Sequence, residues 1–472
     1  MTTPIHLVSK HNNAQTTIGY IDEQSALAPP LAPSSVRVRT QLISPSSNNL
    51  TYALNGDRFG WWSAYPVPIG TQLHSSSSSS SSSSVPQVDA DIDLNKEWGI
   101  VPAWGYALVL SSTHPLIPFG SLLWGFWPTS AHSFDLTLSS SFPEAENQQP
   151  ETHFRETSPH REKLMAMYNR YILAPSSPSS QIDLDSDLAA QTVLSRFECG
   201  VLLEKYTLHR QRFTHPLGLP AGAPADTIPG VPAWGQRDAD LRKAVVISLS
   251  AGTKTARSFA WMLARERSER GELESEGPLG LVQVTSVPGT LANFSDGEGE
   301  GKTKLKIKNV GYGGEELRAV VEWVKGLEGV ERVVMVDFGA AKEVTEMLVQ
   351  GLKEEEGGGS GKKLEVLVLA VGNESRCTRV RRSRQGGQAL GKVQFNTSGV
   401  RDRAAEVEGA TAYFEGVDEA WKRCYTETGL GEVRLERYRG VEGVNGIEGA
   451  WKALCGQKLA PNAGIVVRLS SS

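Results

Sequence analysis

The segment AVVISLSAGTKTARSFAW, residues 244–261, predicts a buried β-strand, a tight turn and a helix. Its VVIS portion is a short, largely β-branched run bounded by turn residues, which is typical of a buried strand. The turn sets backbone N–H groups, hydroxyls and one ammonium group at the start of the helix, an arrangement that attracts phosphate. The candidate phosphate-binding residues are Ser250, Gly252, Thr253, Lys254 and Thr255.

Strands and helices alternate downstream of this segment. LGLVQVTS, KLKIKNV, ERVVMVDFGA and KLEVLVLAVGN predict strands, and EELRAVVEWVKGL and AAKEVTEMLVQGLKEEE predict helices between them. Such alternation implies right-handed βαβ crossovers and a parallel sheet. The predicted fold class is α/β, with a doubly wound, Rossmann-like parallel sheet.

The chain upstream has a different character. Residues 1–34 are polar and predict at most one early strand, and the serine tract at 75–84 predicts disorder. WGIVPAWGYALVLSSTHPLIPFGSLLWGFWPTSAHSFDLTL, residues 98–138, is dense in Gly, Trp and β-forming residues and predicts a small barrel or sandwich. A long helix is predicted over 187–208, and the C-terminal region predicts helix, strand, helix and strand.

Composition limits the classes of function. The 472 residues favour two domains, and the net charge of −5 gives no electrostatic reason to expect nucleic acid. No apolar run is long enough to cross a bilayer, and the N-terminus lacks a signal-peptide core, so we expect a cytoplasmic protein. The four cysteines are scattered without a CxxC pair, which argues against a zinc knuckle.

Several stretches together carry a family resemblance. They are VRVRTQLISPSSNNLTYALNG (36–56), WGIVPAWGYALVLSS (98–112), FGSLLWGFWPTSAHSF (119–134), the helix at 187–208 and AWKALCGQKLAPNAGIVVRLS (450–470). In this order they resemble the medium-chain dehydrogenase/reductase superfamily, most closely its zinc-free quinone-reductase and enoyl-reductase branch. More specifically, the chain resembles an offshoot known only as a domain of unknown function.

The resemblance implies an arrangement of domains. Residues 1–208 are expected to form a GroES-like β-barrel substrate domain that contains the serine tract. Residues 209–390 are expected to form the nucleotide-binding domain. Residues 391–472 are expected to complete the sheet and return to the substrate domain. A small-molecule substrate is the expected partner, with no nucleic acid and no membrane, and a homodimer is left open.

The implied activity is hydride transfer from NADPH to an enone, a quinone or an acyl double bond. The turn lacks the GxGxxG pattern, and Lys254 with its neighbouring threonines can compensate through charge and hydroxyl contacts. The second strand ends in Thr285-Ser286 without the carboxylate that selects NAD, which favours NADP. Relatives place a tyrosine near the 2′-phosphate, and Tyr312 has that position, although a surface aromatic residue is an equal alternative.

Further candidate residues stand at strand ends and in the barrel. Gly339, Gly372 and Asn373 follow the fourth and fifth strands, where ligands collect in open α/β sheets. The resemblance implies that Tyr52 donates its phenolic proton to the substrate. It also implies that Asn48 or Asn49 orients the substrate carbonyl or the nicotinamide amide. The alternative is that Tyr52 packs inside the barrel and that the asparagines cap a helical turn.

The sequence argues against a catalytic zinc. In the zinc-dependent branch of the superfamily the metal needs a thiolate and a histidine from the N-terminal domain. No cysteine precedes Cys199, and His74 and His114 have no thiolate beside them in the sequence. We therefore expect no metal.

Rival motifs are incomplete. Ser248 to Gly252 is one glycine short of the GxSxG nucleophile elbow, and no histidine follows His215 to complete a triad in that order. The stretch from Asp296 to Thr303 lacks the first glycine of a GxxxxGKT loop.

Other functions stay open at this point. The usual explanation of the arginines Arg376, Arg379, Arg381 and Arg382 is a solvated loop, and the alternative is that they lie near the cleft and attract an anionic substrate or acyl group. A non-catalytic protein that senses a nucleotide or binds a partner is one alternative function. An isomerase or lyase that uses the same cleft is the other.

Overall fold

The structure is a computed structural model that describes residues 2–23, 29–73, 93–140, 152–174, 191, 196–220, 222–224, 227–229, 231–292, 294, 305–354, 364–371 and 392–469. The serine tract and the first part of the helix predicted at 187–208 lie outside the described residues. The described end of that helix is α-helical over Phe197–Val201 and π-helical over Leu202–Thr207.

The strands are numbered in chain order. They are β1 (Thr2–Ser9), β2 (Thr16–Asp22), β3 (Ser35–Ile43), β4 (Gln72–Leu73), β5 (Trp98–Gly99), β6 (Pro102–Ser112), β7 (Leu122–Pro128), β8 (Ser133–Ser140), β9 (His153–Glu156), β10 (Arg170–Leu173), β11 (Ala244–Leu249), β12 (Gly280–Val284), β13 (Lys306–Val310), β14 (Arg332–Asp337), β15 (Glu365–Ala370), β16 (Lys392–Gln394), β17 (Arg434–Arg439) and β18 (Ala463–Arg468).

The helices connect these strands. The α-helices besides Phe197–Val201 are Ser47–Leu54, Gly56–Phe59, Trp61–Ala64, Leu94–Glu97, Gln236–Ala239, Lys254–Trp261, Arg267–Glu269, Leu273–Glu276, Gly314–Lys325, Lys342–Lys353, Thr397–Glu408, Ala410–Thr426 and Ile447–Cys455. Met262–Glu266 is a second π-helical stretch, and Pro159–Arg161, Ala166–Asn169 and Pro288–Thr290 are 3₁₀ turns.

A parallel six-stranded sheet has the order β13-β12-β11-β14-β15-β16. The first strand in sequence lies in the middle and the chain winds outward on both sides, which is the Rossmann order. Alternate residues of β11 pack on opposite faces: Val245 and Ile247 pack with helices Gly314–Lys325 and Lys342–Lys353, and Val246 packs with helix Lys254–Trp261. Since both faces are covered at this point, the central strand β11 is apolar except for Ser248. The predicted doubly wound sheet is confirmed.

The predicted barrel is also confirmed. Strands β3, β6, β7, β10, β9 and β8 form antiparallel pairs in that order, and β8 closes the ring by pairing with β3. A closed ring leaves no unpaired strand edge, which removes a site of aggregation. The parallel pair β17 and β18 continues this sheet, because β18 also pairs with β3.

The expectation of at most one early strand is wrong. Strands β1 and β2 form an antiparallel hairpin, and β4 and β5 complete a four-stranded sheet with them. The buried His6 interrupts the apolar alternation of β1, and its ring packs against Trp451 near the other end of the chain. A strand whose packing partner is so distant in sequence leaves a weak local pattern.

Candidate functional site

The turn after β11 has a constrained backbone. Ser250 has φ of 56°, in the left-handed region that non-glycine residues seldom adopt. A Cβ on Gly252 would lie 2.7 Å from Oγ1 of Thr285 and 2.9 Å from Cβ of Pro461. Only glycine therefore fits at position 252. Thr253 is the N-cap of the following helix, since its Oγ1 accepts a hydrogen bond from the N–H of Ala256 at 3.3 Å.

Three backbone donors of the turn face no acceptor in the described part of the chain. The N–H groups of Ala251 and Thr253 are used, since they donate to the carbonyls of Val284 and Ser250, both at 3.0 Å. Among the described residues, none accepts a hydrogen bond from the N–H of Gly252, Lys254 or Thr255. Unpaired N–H groups at a helix start form a site for an anion, so the turn fits a phosphate group.

Lys254 points toward the barrel side of the molecule. Its ammonium group donates a hydrogen bond to the carbonyl of Ala463, the first residue of β18. Burial, followed by the charges of Arg196 and Arg257, lowers the pKa of Lys254 to about 7. The positive end of the helix dipole also disfavours a cation at this position. The side chain thus joins the two sheets and is poised to change charge near neutral pH.

A buried arginine, which the sequence did not reveal as part of the site, holds the turn in place. The guanidinium group of Arg257 donates to the carbonyl of Gly252 at 2.8 Å, to that of Thr290 at 2.6 Å and to that of Leu430 at 2.7 Å. These bonds join the turn to the loop after β12 and to the segment before β17. The position of Arg257, three residues after Lys254 on the same helix, is the only signal that sequence offered.

Some of the candidate residues at the neighbouring strand ends lie close to the turn after β11. The hydroxyl groups of Ser250 and Tyr312 lie 3.2 Å apart, and Thr285 borders Gly252. Ser286 directly follows Thr285, so it lies at the same edge of the sheet. Gly339 has φ of 115°.

A carboxylate holds the loop at Gly339 in place. Asp337 Oδ1 accepts hydrogen bonds from the N–H groups of Gly339 at 3.0 Å and Ala340 at 2.8 Å. Asp337 also pairs with Lys392 at 2.9 Å. Gly339 therefore belongs to a loop fixed by the structure. Gly372 and Asn373, together with the arginines near residue 380, lie outside the described residues.

Tyr52 lies in an aromatic cluster on the barrel. Its ring is 5.4 Å from that of Trp61, 5.6 Å from Phe126 and 6.1 Å from Tyr168. Its hydroxyl group is 3.3 Å from that of Tyr168, a partner that sequence reasoning missed. Burial raises the pKa of Tyr52, while Tyr168 and the positive charge of Arg196 act against that rise. The phenol therefore stays protonated at neutral pH and can donate.

The amide of Asn49 has a structural role. Its Oδ1 accepts a hydrogen bond from the N–H of Ser46 at 2.6 Å, and its Nδ2 donates to the carbonyl of Pro102 at 2.7 Å. This capping box starts helix Ser47–Leu54 and ties it to β6. The alternative that an asparagine caps the helical turn is therefore correct for Asn49, and its interpretation as a substrate ligand is not supported. Asn48 is exposed.

Arg196 connects the two halves of the site. It donates a hydrogen bond to the carbonyl of Ser44 at 3.4 Å, and its charge acts on both Tyr52 and Lys254. Burial lowers the pKa of this guanidinium. The site thus contains two half-buried basic side chains, Arg196 and Lys254, together with unpaired N–H groups, which is an environment complementary to an anion.

The described residues provide neither a metal-binding cluster nor a membrane-spanning helix. In the part of the chain that the structure describes, no cluster of three or more His, Cys, Asp or Glu side chains is placed to hold a metal ion. The ring of His114 packs against Phe154 at 5.0 Å, and His74 lies outside the described residues. Of the helices that are described, none has the length and apolar character needed to cross a bilayer.

Comparisons with known proteins define the family. The model of the family described as "Protein of unknown function (DUF2855)" matches residues 43–460, so the chain belongs to that family. A comparison with curated proteins gives no match.

Solved structures resemble the chain only weakly. CurA from Vibrio vulnificus, solved in complex with NADPH, is 9% identical, with 96% of this chain and 95% of that chain covered and a TM-score of 0.46. A mutant enoyl thioester reductase from Candida tropicalis is 10% identical over 99% of this chain and 100% of that one, with a TM-score of 0.46. The CurF cyclopropanase of curacin A biosynthesis is 11% identical over 99% of both, again at 0.46. We draw nothing about activity from likenesses at this level.

Proposed function

We propose that this member of the DUF2855 family is a zinc-independent, NADPH-dependent reductase that acts on a carbon–carbon double bond conjugated to a carbonyl group. One observation carries the proposal. The turn after the central strand of a Rossmann-ordered sheet leaves the N–H groups of Gly252, Lys254 and Thr255 without described acceptors, beside the half-buried side chain of Lys254. This combination fits the pyrophosphate of a dinucleotide.

The residues around the turn support NADP as the cofactor. Lys254 and Arg196 would supply positive charge to the phosphates. Thr285 and Ser286 replace the acidic residue that selects NAD, and Tyr312 stands beside Ser250 at the same edge of the sheet. Hydroxyl groups in these positions leave room for a 2′-phosphate.

Tyr52 is the proposed proton donor. The reduced nicotinamide of the cofactor, when bound, would supply a hydride ion. The phenol of Tyr52, kept neutral by burial, would donate a hydrogen bond to the substrate oxygen as negative charge develops there. Tyr168 would hold the phenol in position through the contact of 3.3 Å between their hydroxyl groups. Asn49 has no part in this step because both ends of its amide are used within the barrel.

Titration of the purified chain with NADPH tests the proposal. Binding would shift nicotinamide fluorescence to shorter wavelength, and a parallel titration with NADH would measure the preference for the 2′-phosphate. Absence of binding at hundreds of micromolar NADPH would exclude the reductase. Consumption of NADPH with a panel of enones and quinones then tests turnover.

A specific contact favours a second candidate function, a nucleotide-binding protein without turnover. The C-terminal segment lies against the turn, with Pro461 close to Gly252 and with the carbonyl of Ala463 bonded to Lys254. A nucleotide that displaced this segment would change the contact between the sheet and the barrel. NADPH binding without reduction of any acceptor would favour this second function.

A further inference from the structure

The outer face of two barrel strands carries a continuous set of aromatic rings. Side chains alternate along a strand, so every second residue of β6 and β7 points away from the barrel interior. The register pairs Trp104 with Phe126 and Tyr106 with Trp124 across the two strands. We call this surface the aromatic wall, and it comprises Tyr52, Trp104, Tyr106, Trp124, Phe126 and Tyr168.

The rings of the aromatic wall are close to parallel over part of its length. The ring of Trp104 lies 6.0 Å from that of Trp124 at an interplanar angle of 17°, and 5.7 Å from that of Tyr168 at 27°. Tyr168 leads on to Tyr52, since their hydroxyl groups are 3.3 Å apart. The wall therefore extends from Trp124 to the proposed proton donor.

The aromatic wall faces the junction between the barrel and the parallel sheet. Tyr106 belongs to the buried cluster that also contains Phe259 and Trp261 of the nucleotide-binding side, and Trp124 packs against that cluster. Nevertheless Trp104, Trp124 and Tyr52 are only half-buried. The rings of Tyr106, Phe126 and Tyr168 are buried, so a ligand would reach the wall through the three half-buried rings.

We propose that the aromatic wall binds the aryl group of an aryl-substituted carbonyl compound, and that the site discriminates against aliphatic acceptors of equal size. This inference rests on the proposed reductase function. Aromatic rings bind one another in offset-stacked or edge-to-face arrangements, which adds affinity beyond the burial of area. The wall offers ring faces and edges, and its one end carries the phenol of Tyr52. The same face continues beyond Tyr106 and Trp124 with the pair Leu108 and Leu122. An aryl group on the wall would leave the carbonyl oxygen of the same molecule next to that phenol.

Ketone binding to the wild-type chain provides the first test. Saturation-transfer NMR, run without nucleotide, would compare benzylacetone with decan-2-one, which has the same number of carbon atoms. We expect benzylacetone to bind about 3- to 10-fold more tightly, the effect of one ring-stacking interaction. Equal binding, tighter binding of decan-2-one or no binding of either would overturn the inference.

The variant Trp104→Leu provides the second test, with Trp323→Leu as its control. Trp323 is also half-buried but lies on helix Gly314–Lys325, beneath Lys308 and away from the wall. We expect Trp104→Leu to remove the preference for benzylacetone and Trp323→Leu to keep it. A loss of equal size for both ketones would show general loosening and would contradict the inference. If Trp104→Leu does not fold, Trp104→Phe takes its place and should retain the preference for benzylacetone. Loss of that preference in Trp104→Phe would contradict the inference.

The two proposals fail in different ways. NADPH binding, followed by nicotinamide fluorescence, tests the reductase without any acceptor present. A chain that prefers benzylacetone but binds no NADPH would contradict the reductase alone. A chain that binds NADPH but shows no aryl preference would contradict the aromatic wall alone.

Discussion

Replacement of Lys254 by methionine tests whether the charge of this side chain contributes to NADPH binding. The lysine has a pKa of about 7 because it is buried beside Arg196 and Arg257. Bound phosphate would favour the charged form and raise that pKa. Binding would therefore take up a proton above pH 7, and the affinity for NADPH would fall as the pH rises.

The size of the effect follows from the pKa. With a pKa of about 7, roughly half of the Lys254 side chains carry a charge at pH 7 and about one in a hundred at pH 9. If the complex keeps the ammonium charged, the apparent Kd of the wild-type chain rises about 50-fold over this interval. The Lys254→Met variant loses a charge-assisted contact of about 1.5–3 kcal/mol, which weakens binding about 10- to 150-fold at pH 7.

Fluorescence titration with NADPH at pH 7, 8 and 9 measures both effects. The phosphates of the cofactor are already ionised in this range, because their last pKa lies near 6. Lys254→Met should therefore bind with an affinity that hardly changes with pH. A wild-type Kd that is constant from pH 7 to 9 would refute the reasoning, as would an equal pH dependence in the variant.

Stability provides an independent control for the same variant. The unfolded lysine has a pKa near 10.5 and the folded one a pKa of about 7, so the unfolded chain binds more protons between these values. The free energy of unfolding of the wild-type protein should therefore rise from pH 7 to about pH 10. Lys254→Met should lack this contribution when both proteins are unfolded with urea.

Three further variants test separate parts of the site. Tyr52→Phe should lower kcat about 10²- to 10⁴-fold with the Kd of NADPH retained, and full activity would remove the phenol from the mechanism. Tyr312→Phe loses the contact with Ser250, so its Kd for NADPH should rise about 5-fold in titration, and an unchanged Kd would place Tyr312 outside the site. Gly252→Ala should destabilise the fold by about 1–3 kcal/mol in urea unfolding, because its Cβ has no space. The control Gly416→Ala, with nothing within 4 Å, should stabilise its helix by about 0.5–1 kcal/mol; similar losses in both variants would contradict the packing argument.

Sequence patterns were sufficient for elements whose stability is local. β11 and β14 are completely buried, and each contains a run of three or four consecutive apolar residues, so strand assignment needed no tertiary information. The alternation of strands and helices predicted the parallel sheet for the same reason. The N-terminal hairpin was missed because β1 contains the buried His6, whose ring packs on Trp451 at the far end of the chain.

The candidate site likewise has a part that local sequence predicted and a part that only the fold reveals. Sequence placed Ser250, Gly252 and Lys254 in one turn, since neighbours in the chain are neighbours in space. It did not indicate that Tyr168 lies beside Tyr52, because 116 residues separate two side chains whose hydroxyl groups are 3.3 Å apart. It also left open whether Asn49 orients the substrate or caps a helical turn, and the fold shows that its amide is bonded to Ser46 and Pro102.

The sequence by itself determined the alternation of strands and helices in the parallel sheet, the turn after β11 and the absence of an acidic residue after β12, because these depend on residue type and local spacing. Tertiary structure alone decided the charge and the surroundings of that turn. Lys254 meets the carbonyl of Ala463 only because β18 pairs with β3 of the barrel, which brings the C-terminal segment against the turn after β11. A pKa depends on everything within a few ångströms, and residues 209 positions apart become neighbours only after the chain has folded.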